Sequence, residues 1–260
     1  MVFWGAQNVA MPDHVHAPGR PEDLPPPRVL WAHGALNALV SAALGEPTDT
    51  WLRRYWLTED DGLGHDDSGG NWWNLERLPE GRAVLFGADH EMSETRWHKP
   101  PIDLVAGAPG WLDHDWFHAN DDLVGYVYWF DAASWRRVPY PDDVTDDGLE
   151  LTAGEYLTAE RAVRRAAGEL MGVPQATPIR VDVELDPAEE EGARVARAIL
   201  AAGSERRLTE ELLSELLNGL DRSLSYDEEL GDVPPPFELD KAFDLARRAE
   251  FTPQSPSSVA

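Results

Sequence analysis

The sequence predicts an α+β fold, with an antiparallel, aromatic-rich sheet in the N-terminal half and a mainly helical C-terminal half. All 11 Trp and all 8 His residues lie at or before Trp135, among short apolar runs separated by turn signals. The connections between the first of these runs, up to Phe86, are too short for helical crossovers, which favours antiparallel pairing. In the second half, apolar residues recur mostly at helical spacing.

The first predicted helix covers about residues 28–44 and follows an irregular, proline-rich stretch over residues 1–27. Its apolar residues fall close to helical spacing, and His33 lies on the same stripe. We interpret His33 as a core residue with a satisfied hydrogen bond. Gly45 suits the C-terminal cap, and Pro47 prevents the helix from continuing.

Several short strands are predicted after this helix. The run Leu123–Phe130 is the most strand-like, and its apolar residues on both faces predict a central position in the sheet. The acidic, glycine-rich stretch Glu59–Gly70 is interpreted as a flexible turn. The predicted strands are Trp51–Leu57, Asn71–Leu78, Ala83–Phe86, Leu123–Phe130 and Trp135–Val138, with turns at Pro79–Gly81 and Asp131–Ser134.

The second half begins with a capping signal. Thr152 and Glu155 have the spacing of a capping box, which predicts a helix whose apolar stripe runs to Leu170. Apolar and polar residues alternate over Ile179–Leu185, which predicts a lone, half-buried strand.

Three more helices are predicted towards the C-terminus. Asp186 suits the N-cap of the first and Pro187 its first position. Thr209 suits the N-cap of the second, and the third covers about residues 238–251.

The predicted organisation has two regions and a tail. Residues 1–145 form the aromatic-rich region, residues 146–252 form the mainly helical region, and residues 253–260 form a disordered tail. If the lone strand pairs with the N-terminal sheet, the two regions become one domain.

Composition excludes several classes of protein. The chain has 48 acidic and 22 basic residues, for a net charge of −26, so we expect no direct binding to nucleic acid or to an anionic membrane. Cys is absent, which removes disulfides, Cys-ligated metals and thiol catalysis. Without a membrane-spanning apolar run or a basic leader, we expect a cytoplasmic protein.

The sharpest local pattern is the segment from Asp113 to His118. On a helix, His114 and His118 would lie one turn apart and could bind one divalent metal ion. Asp115 would then occupy the position of a metalloprotease general base, and Asp89 is the favoured third ligand, beside His90 and Glu91. This pattern supports the alternative of a metal-dependent hydrolase; a polar loop without metal is the simpler interpretation.

Acidic and aromatic residues also alternate in two stretches, which favours binding to a basic protein. Acids steer a cationic partner, and Trp residues supply anchors. Trp72 and Trp73 also leave open a carbohydrate-binding alternative, although neighbours on a strand face opposite sides. The candidate contact residues are Asp60, Asp61, Asp66, Asp67, Trp72, Trp73, Asp121 and Asp122.

No nucleotide-binding loop, kinase motif or nucleophile elbow occurs in the sequence. Binding to a basic macromolecular partner, without a cofactor, is therefore the leading functional hypothesis. In composition, an acidic α+β chain without catalytic motifs resembles the immunity proteins of bacterial toxin systems. That resemblance implies an inhibitor-like role and does not specify the partner.

Overall fold

The computed structural model describes residues 15–46, 54–58, 62–173, 179–224 and 235–254. It confirms the α+β fold: an antiparallel sheet lies in the N-terminal half, and most helices follow it. The strands are β1 (Tyr55–Thr58), β2 (Gly62–Asp66), β3 (Trp72–Leu78), β4 (Arg82–Ala88), β5 (Tyr126–Asp131) and β6 (Trp135–Arg136). The α-helices are α1 (Pro27–Ala43), α2 (His114–Ala119), α3 (Ala159–Met171), α4 (Pro187–Ser204), α5 (Glu210–Asn218) and α6 (Leu239–Arg248).

The six strands that the structure describes form a meander in the order β1 to β6, and each pairs antiparallel with the next. In this order the two middle strands are β3 and β4. Strand β5 also has a partner on each side, but its outer partner, β6, contributes only two residues. One row of paired residues crosses five strands on the face covered by the helices. This row consists of Tyr55, His65, Trp73, Gly87 and Tyr126.

Helix α1 lies between the sheet and the C-terminal helices. It packs against α3, α4 and α6, and also against strands β1 to β3. Thirteen of its 17 residues are buried, so it has no polar face of the kind that surface helices have. The main apolar core therefore contains residues from both halves of the chain.

The opposite face of the sheet is covered by the long connection between β4 and β5. Val84, Phe86 and Val127 on the strands pack against Val105 and Phe117 from this connection. The structure thus places helices on one face of the sheet and a mostly irregular segment on the other.

The prediction of a turn over Glu59–Gly70 is wrong for its described part, because residues 62–66 form β2. This strand pairs with β1 on one side and β3 on the other. Gly62 adopts a positive φ of 72°, and Gly64 leaves the space that the Trp56 ring occupies. Pairing on both edges and these glycines outweigh the polar composition of the stretch.

The predicted capping box at Thr152 is also wrong. Helix α3 begins seven residues later, where the Thr158 hydroxyl accepts from the backbone N–H of Arg161. The Thr152 hydroxyl instead donates to the carbonyl of Gly148 at 2.7 Å, and residues 153–156 form a 3₁₀ turn. This local bond, together with a 2.7 Å hydrogen bond between the hydroxyls of Thr152 and Tyr126, replaces the predicted cap.

The predicted strand over Ile179–Leu185 does not form. The Arg164 guanidinium donates to the carbonyls of Arg180, Val181 and Val183, which are the groups that a neighbouring strand would otherwise satisfy. The segment consequently does not join the sheet.

The other helix signals agree with the structure. Asp186 caps α4 in a reciprocal capping box with Glu189, and Thr209 caps α5. The first and last helices end within about three residues of their predicted limits. No helix of the described residues is long and apolar enough to cross a membrane. Residues 255–260, in the predicted tail, lie outside the described residues.

The close contact between α1 and the sheet can be tested at Gly34. A Cβ atom there would lie 2.8 Å from Cη2 of Trp73 and 2.9 Å from Cδ2 of Leu63. In an exposed helix, Gly→Ala would stabilise by about 1 kcal/mol. Here overpacking costs about 1–3 kcal/mol, so we expect Gly34→Ala to lower the unfolding free energy in a urea titration.

Gly110→Ala is the matched control, because a Cβ atom there meets nothing within 4 Å. We expect it to change stability by less than about 1 kcal/mol. Stabilisation by Gly34→Ala would show that the helix and sheet are not in close contact.

Candidate functional site

A polar cleft of about 400 Å³ lies between the first strands of the sheet and helix α3. Its walls combine cationic, acidic and aromatic side chains, many of them buried. The cleft is lined by Arg54, His65, Asp67, Asn71, Leu151, Thr152, Glu155, Tyr156, Arg165, Gly168, Glu169, Gly172 and Val173. Concave sites with convergent polar groups are where ligands usually bind.

The Arg165 guanidinium is the centre of this polar cluster. Its Nη1 donates to Glu155 at 3.3 Å, and its Nε lies 4.0 Å from the Glu169 carboxylate. Glu155 also accepts from the backbone N–H of Ile179 at 2.9 Å. The two carboxylates offset the desolvation of the guanidinium, since a buried charge requires both pairing and hydrogen bonds.

Two tyrosines and a histidine complete the cluster. The Tyr55 hydroxyl donates to Glu169 at 3.3 Å, so it accepts from Tyr156 at 2.9 Å and from Arg165 at 3.1 Å. A nitrogen of the Arg165 guanidinium lies 3.4 Å from Nε2 of His65. Arg can only donate, so Nε2 accepts and the neutral ring carries its proton on Nδ1.

Burial changes the proton affinity of these groups. It raises the pKa of Glu155 and of Glu169 above their ordinary values, and it raises the pKa of Tyr55 to about 12. Burial also lowers the pKa of His65 well below its usual range, and the charges of Arg165 and Arg54 add to this effect. At neutral pH the histidine is therefore neutral and Tyr55 keeps its proton.

Arg54 differs from Arg165 in its surroundings. It is half-buried in the cleft wall, and its side chain makes no hydrogen bond or salt bridge with any residue that the structure describes. Clusters of groups with displaced pKa values in a cleft are typical of functional sites, and this cleft contains such a cluster.

Sequence reasoning missed this cleft. His65 lies in the stretch interpreted as a turn, and Glu155 was assigned to a capping box. Arg161, Arg165 and Glu169 follow one another at intervals of four along α3. Charged residues at this spacing on a helix usually form exposed ion pairs, so the sequence pattern does not indicate a buried cluster. Only the low exposure of Arg161 and Arg165 in the structure distinguishes this stripe from an exposed one.

The predicted metal residues are brought together only in part. Helix α2 forms and carries His114 and His118 with ring centroids 6.3 Å apart. Nε2 of His114 is 3.2 Å from the carbonyl of Pro109, and Nε2 of His118 is 3.2 Å from the carboxylate of Asp103. Asp115 lies exposed on the same helix.

The side chain of the predicted third ligand, Asp89, is hydrogen-bonded within its own turn. Its buried carboxylate accepts from the backbone N–H groups of Glu91 and Met92 at 2.9 and 2.8 Å, while His90 is exposed. Within the described residues, no group of three or more His, Cys, Asp or Glu side chains is arranged to hold a metal ion.

The predicted contact residues are divided between surface and core. Asp121 and Asp122 are exposed, as is Asp67, whose carboxylate accepts from Gly69 and Asn71 in the turn after β2. Asp66 is half-buried and accepts from the N–H of Ser68. Asp60 and Asp61 lie outside the described residues.

Trp72 and Trp73 face opposite sides of the sheet, as their alternation predicts. Trp72 is half-buried against Phe86 on the outer face. Trp73 is fully buried beneath Tyr156, with ring centroids 4.9 Å apart, so its prediction as a surface contact is wrong. Its fit beneath α1 gives it a packing role instead.

The connection covering the outer face of the sheet contains an acidic, aromatic stretch. We call residues 91–123 the outer segment. It has seven acids and two bases, and all seven acids are exposed. The acids are Glu91, Glu94, Asp103, Asp113, Asp115, Asp121 and Asp122.

Four large apolar side chains of the outer segment are exposed as well. Trp97 is 57% exposed and Leu123 is 50% exposed, while Met92 and Trp116 are each 40% exposed. Val183 is the other strongly exposed large apolar residue in the described part of the chain. The outer segment therefore combines exposed acids with exposed apolar groups.

The buried charge at Arg165 gives a first prediction for the cleft. Arg165→Met leaves Glu155 and Glu169 without their cation, and we expect a loss of about 3–5 kcal/mol in unfolding free energy at neutral pH. The loss should shrink in acid, because both carboxyls have raised pKa values and become neutral there.

Arg194→Met is the control, since Arg194 forms an exposed pair with Glu191 on α4. Its expected cost is below about 1 kcal/mol. Equal losses for both variants in chemical denaturation would contradict the central role of Arg165.

His33 gives a second prediction, through pH. Its Nδ1 donates to the carbonyl of Tyr156 at 2.8 Å, and burial lowers its pKa from 6.5 to about 4. Below pH 6.5, His33 takes up a proton in the unfolded chain, whereas in the folded chain it stays neutral down to about pH 4. Stability contributed by neutral His33 is therefore complete above pH 6.5 and decreases towards pH 4, by about 3 kcal/mol in total.

We expect wild type to lose stability faster than His33→Gln over this pH range, by about 1.4 kcal/mol per pH unit. His118→Gln, at an exposed position on α2, should follow wild type. Parallel curves for wild type and His33→Gln would contradict the assignment.

Comparison with protein-family models, with curated proteins and with solved structures finds no match to this chain. The functional interpretation therefore depends on the geometry of the outer segment and of the cleft.

Proposed function

We propose that this protein binds a basic macromolecular partner through the outer segment. One observation carries the proposal: four of the five strongly exposed large apolar side chains in the described residues lie in the segment whose acids are all exposed. Exposed apolar patches rimmed by polar residues mark interaction surfaces, and the hydrogen bond from Arg96 to the carbonyl of Asp122 brings the chain at Trp97 beside the chain at Leu123. The exposed acids indicate that the partner is positively charged.

The two types of side chain have different roles in such binding. Negative charge attracts a cationic protein over distance and speeds association, and its contribution weakens as salt rises. Trp97 and Trp116 supply large apolar areas that are desolvated on contact, which is why Trp is enriched among residues that dominate binding energy.

Contacts within the outer segment hold these anchors in place. The Arg96 guanidinium donates to the carbonyl of Asp122 at 2.8 Å and stacks 4.7 Å from the ring centroid of Trp97. Asn120 links its neighbours: its side-chain amide donates to the backbone carbonyl of Trp116, and its own backbone carbonyl accepts from the N–H of Leu123. Preorganised anchors lose less conformational entropy on binding.

The inhibitor-like role and the cytoplasmic location belong to the same proposal. A chain without cysteine needs no oxidising compartment for folding. A basic enzyme or toxin is the kind of partner that an acidic, aromatic surface suits.

The proposal is tested by affinity capture from lysate at low and high ionic strength, with Trp97→Ala/Trp116→Ala and Asp121→Asn/Asp122→Asn beside wild type. We expect a basic protein that is lost with the Trp pair, and is weakened several-fold by the Asp pair and by salt.

Two control variants lie outside the outer segment. Val183→Ala removes exposed apolar surface, and Glu210→Gln/Glu215→Gln removes two exposed acids from α5. Both should retain the partner. The same proteins captured by every variant, or an acidic partner, would reject the proposal.

A further inference from the structure

The polar cleft contains more donor capacity than its own acceptors use. Three of the five N–H groups of Arg165 have partners among the described residues, namely Tyr55, Glu155 and His65. The side chain of Arg54 has none among them, although it lies in the same wall. Two guanidinium groups thus present unfilled donors to one cavity.

Each acceptor side chain around the cleft already has at least one partner within the protein. Glu155 accepts from Ile179 and Arg165, and Glu169 accepts from Tyr55. At the rim, Asp67 accepts from two residues of its turn, and the side-chain amide oxygen of Asn71 accepts from the backbone N–H of His90. The unmet hydrogen-bonding capacity of the cleft therefore includes the N–H groups of Arg54 and Arg165 that lack a partner among the described residues.

The lowered pKa of His65 agrees with the presence of two guanidinium groups at the cleft. Burial is the largest reason for its lowered pKa, and the positive charges of Arg165 and Arg54 come next. Two guanidinium charges therefore lie close enough to His65 to affect its ring, although the chain carries a net charge of −26.

We propose that this cleft binds a small organic anion whose carboxylate or phosphate group accepts hydrogen bonds from Arg54 and Arg165. A guanidinium matches both oxyanions, because two of its N–H groups can pair with two oxygens. Leu151, Val173 and the ring of Tyr156 supply the less polar walls for the carbon part of the ligand. The volume of about 400 Å³ suits a metabolite-sized molecule.

This site is separate from the proposed partner surface. The cleft lies on the face of the sheet that the helices cover, and the outer segment covers the opposite face. Failure of either proposal therefore leaves the other standing.

The test is calorimetric titration of the purified chain with inorganic phosphate, glycerol phosphate, acetate and citrate. We expect saturable binding of at least one probe, and binding at least tenfold weaker in Arg54→Gln. Arg54→Lys should retain part of the affinity because it keeps the charge. Arg28→Gln, which alters an exposed arginine on α1 outside the cleft, should bind as wild type does.

The probes also identify the anion. Binding of the phosphates alone assigns a phosphate ligand, and binding of the carboxylates alone assigns a carboxylate. A second readout is the imidazole NMR signal of His65: a bound anion should raise the pKa of this ring and shift its resonances. Flat titrations with all four probes, or equal affinity in Arg54→Gln, would overturn the proposal.

Discussion

Helix α1 lies against the sheet at the distance that Gly34 permits, because the ring of Trp73 occupies the space where a side chain would be. The helix is also joined to the C-terminal half by hydrogen bonds from buried side chains. Trp31 donates to the carbonyl of Ala249, and Asn37 donates to that of Ala162. Sheet and C-terminal helices therefore share one core through α1, and neither half buries its apolar face without it.

The cleft depends on this same contact. His33 on α1 donates to the carbonyl of Tyr156, whose ring lies near those of Tyr55, His65 and Trp73. The first strands, α1 and the turn before α3 are thus held in one arrangement. That arrangement allows a guanidinium to be buried between two carboxylates, at a desolvation cost that packed apolar residues would avoid. The presence of so costly a cluster at a cavity is the physical reason to connect it with ligand binding.

The two faces of the sheet carry different chemistry. The helical face encloses cationic donors in the cavity that we propose as an anion site, while the outer segment exposes the acids and tryptophans that we propose as a partner surface. A second apolar cluster, with Phe86 and Phe117 at its centre, anchors the outer segment to the strands. The strong net negative charge of the chain therefore does not exclude cationic donors inside the cleft.

The sequence by itself determined the α+β class, most strands and the caps at Asp186 and Thr209, because period-two alternation and capping are local properties of the chain. Tertiary structure alone decided that the acidic stretch contains β2, that Thr152 does not cap a helix, and that Ile179–Leu185 is no strand. The deciding hydrogen bonds come from β1 and β3 for β2, from Gly148 and Tyr126 for Thr152, and from Arg164 for residues 180–183. The cleft belongs with these, since Arg165 contacts His65 and Tyr55 across about one hundred residues of sequence, and burial at that separation leaves no local pattern.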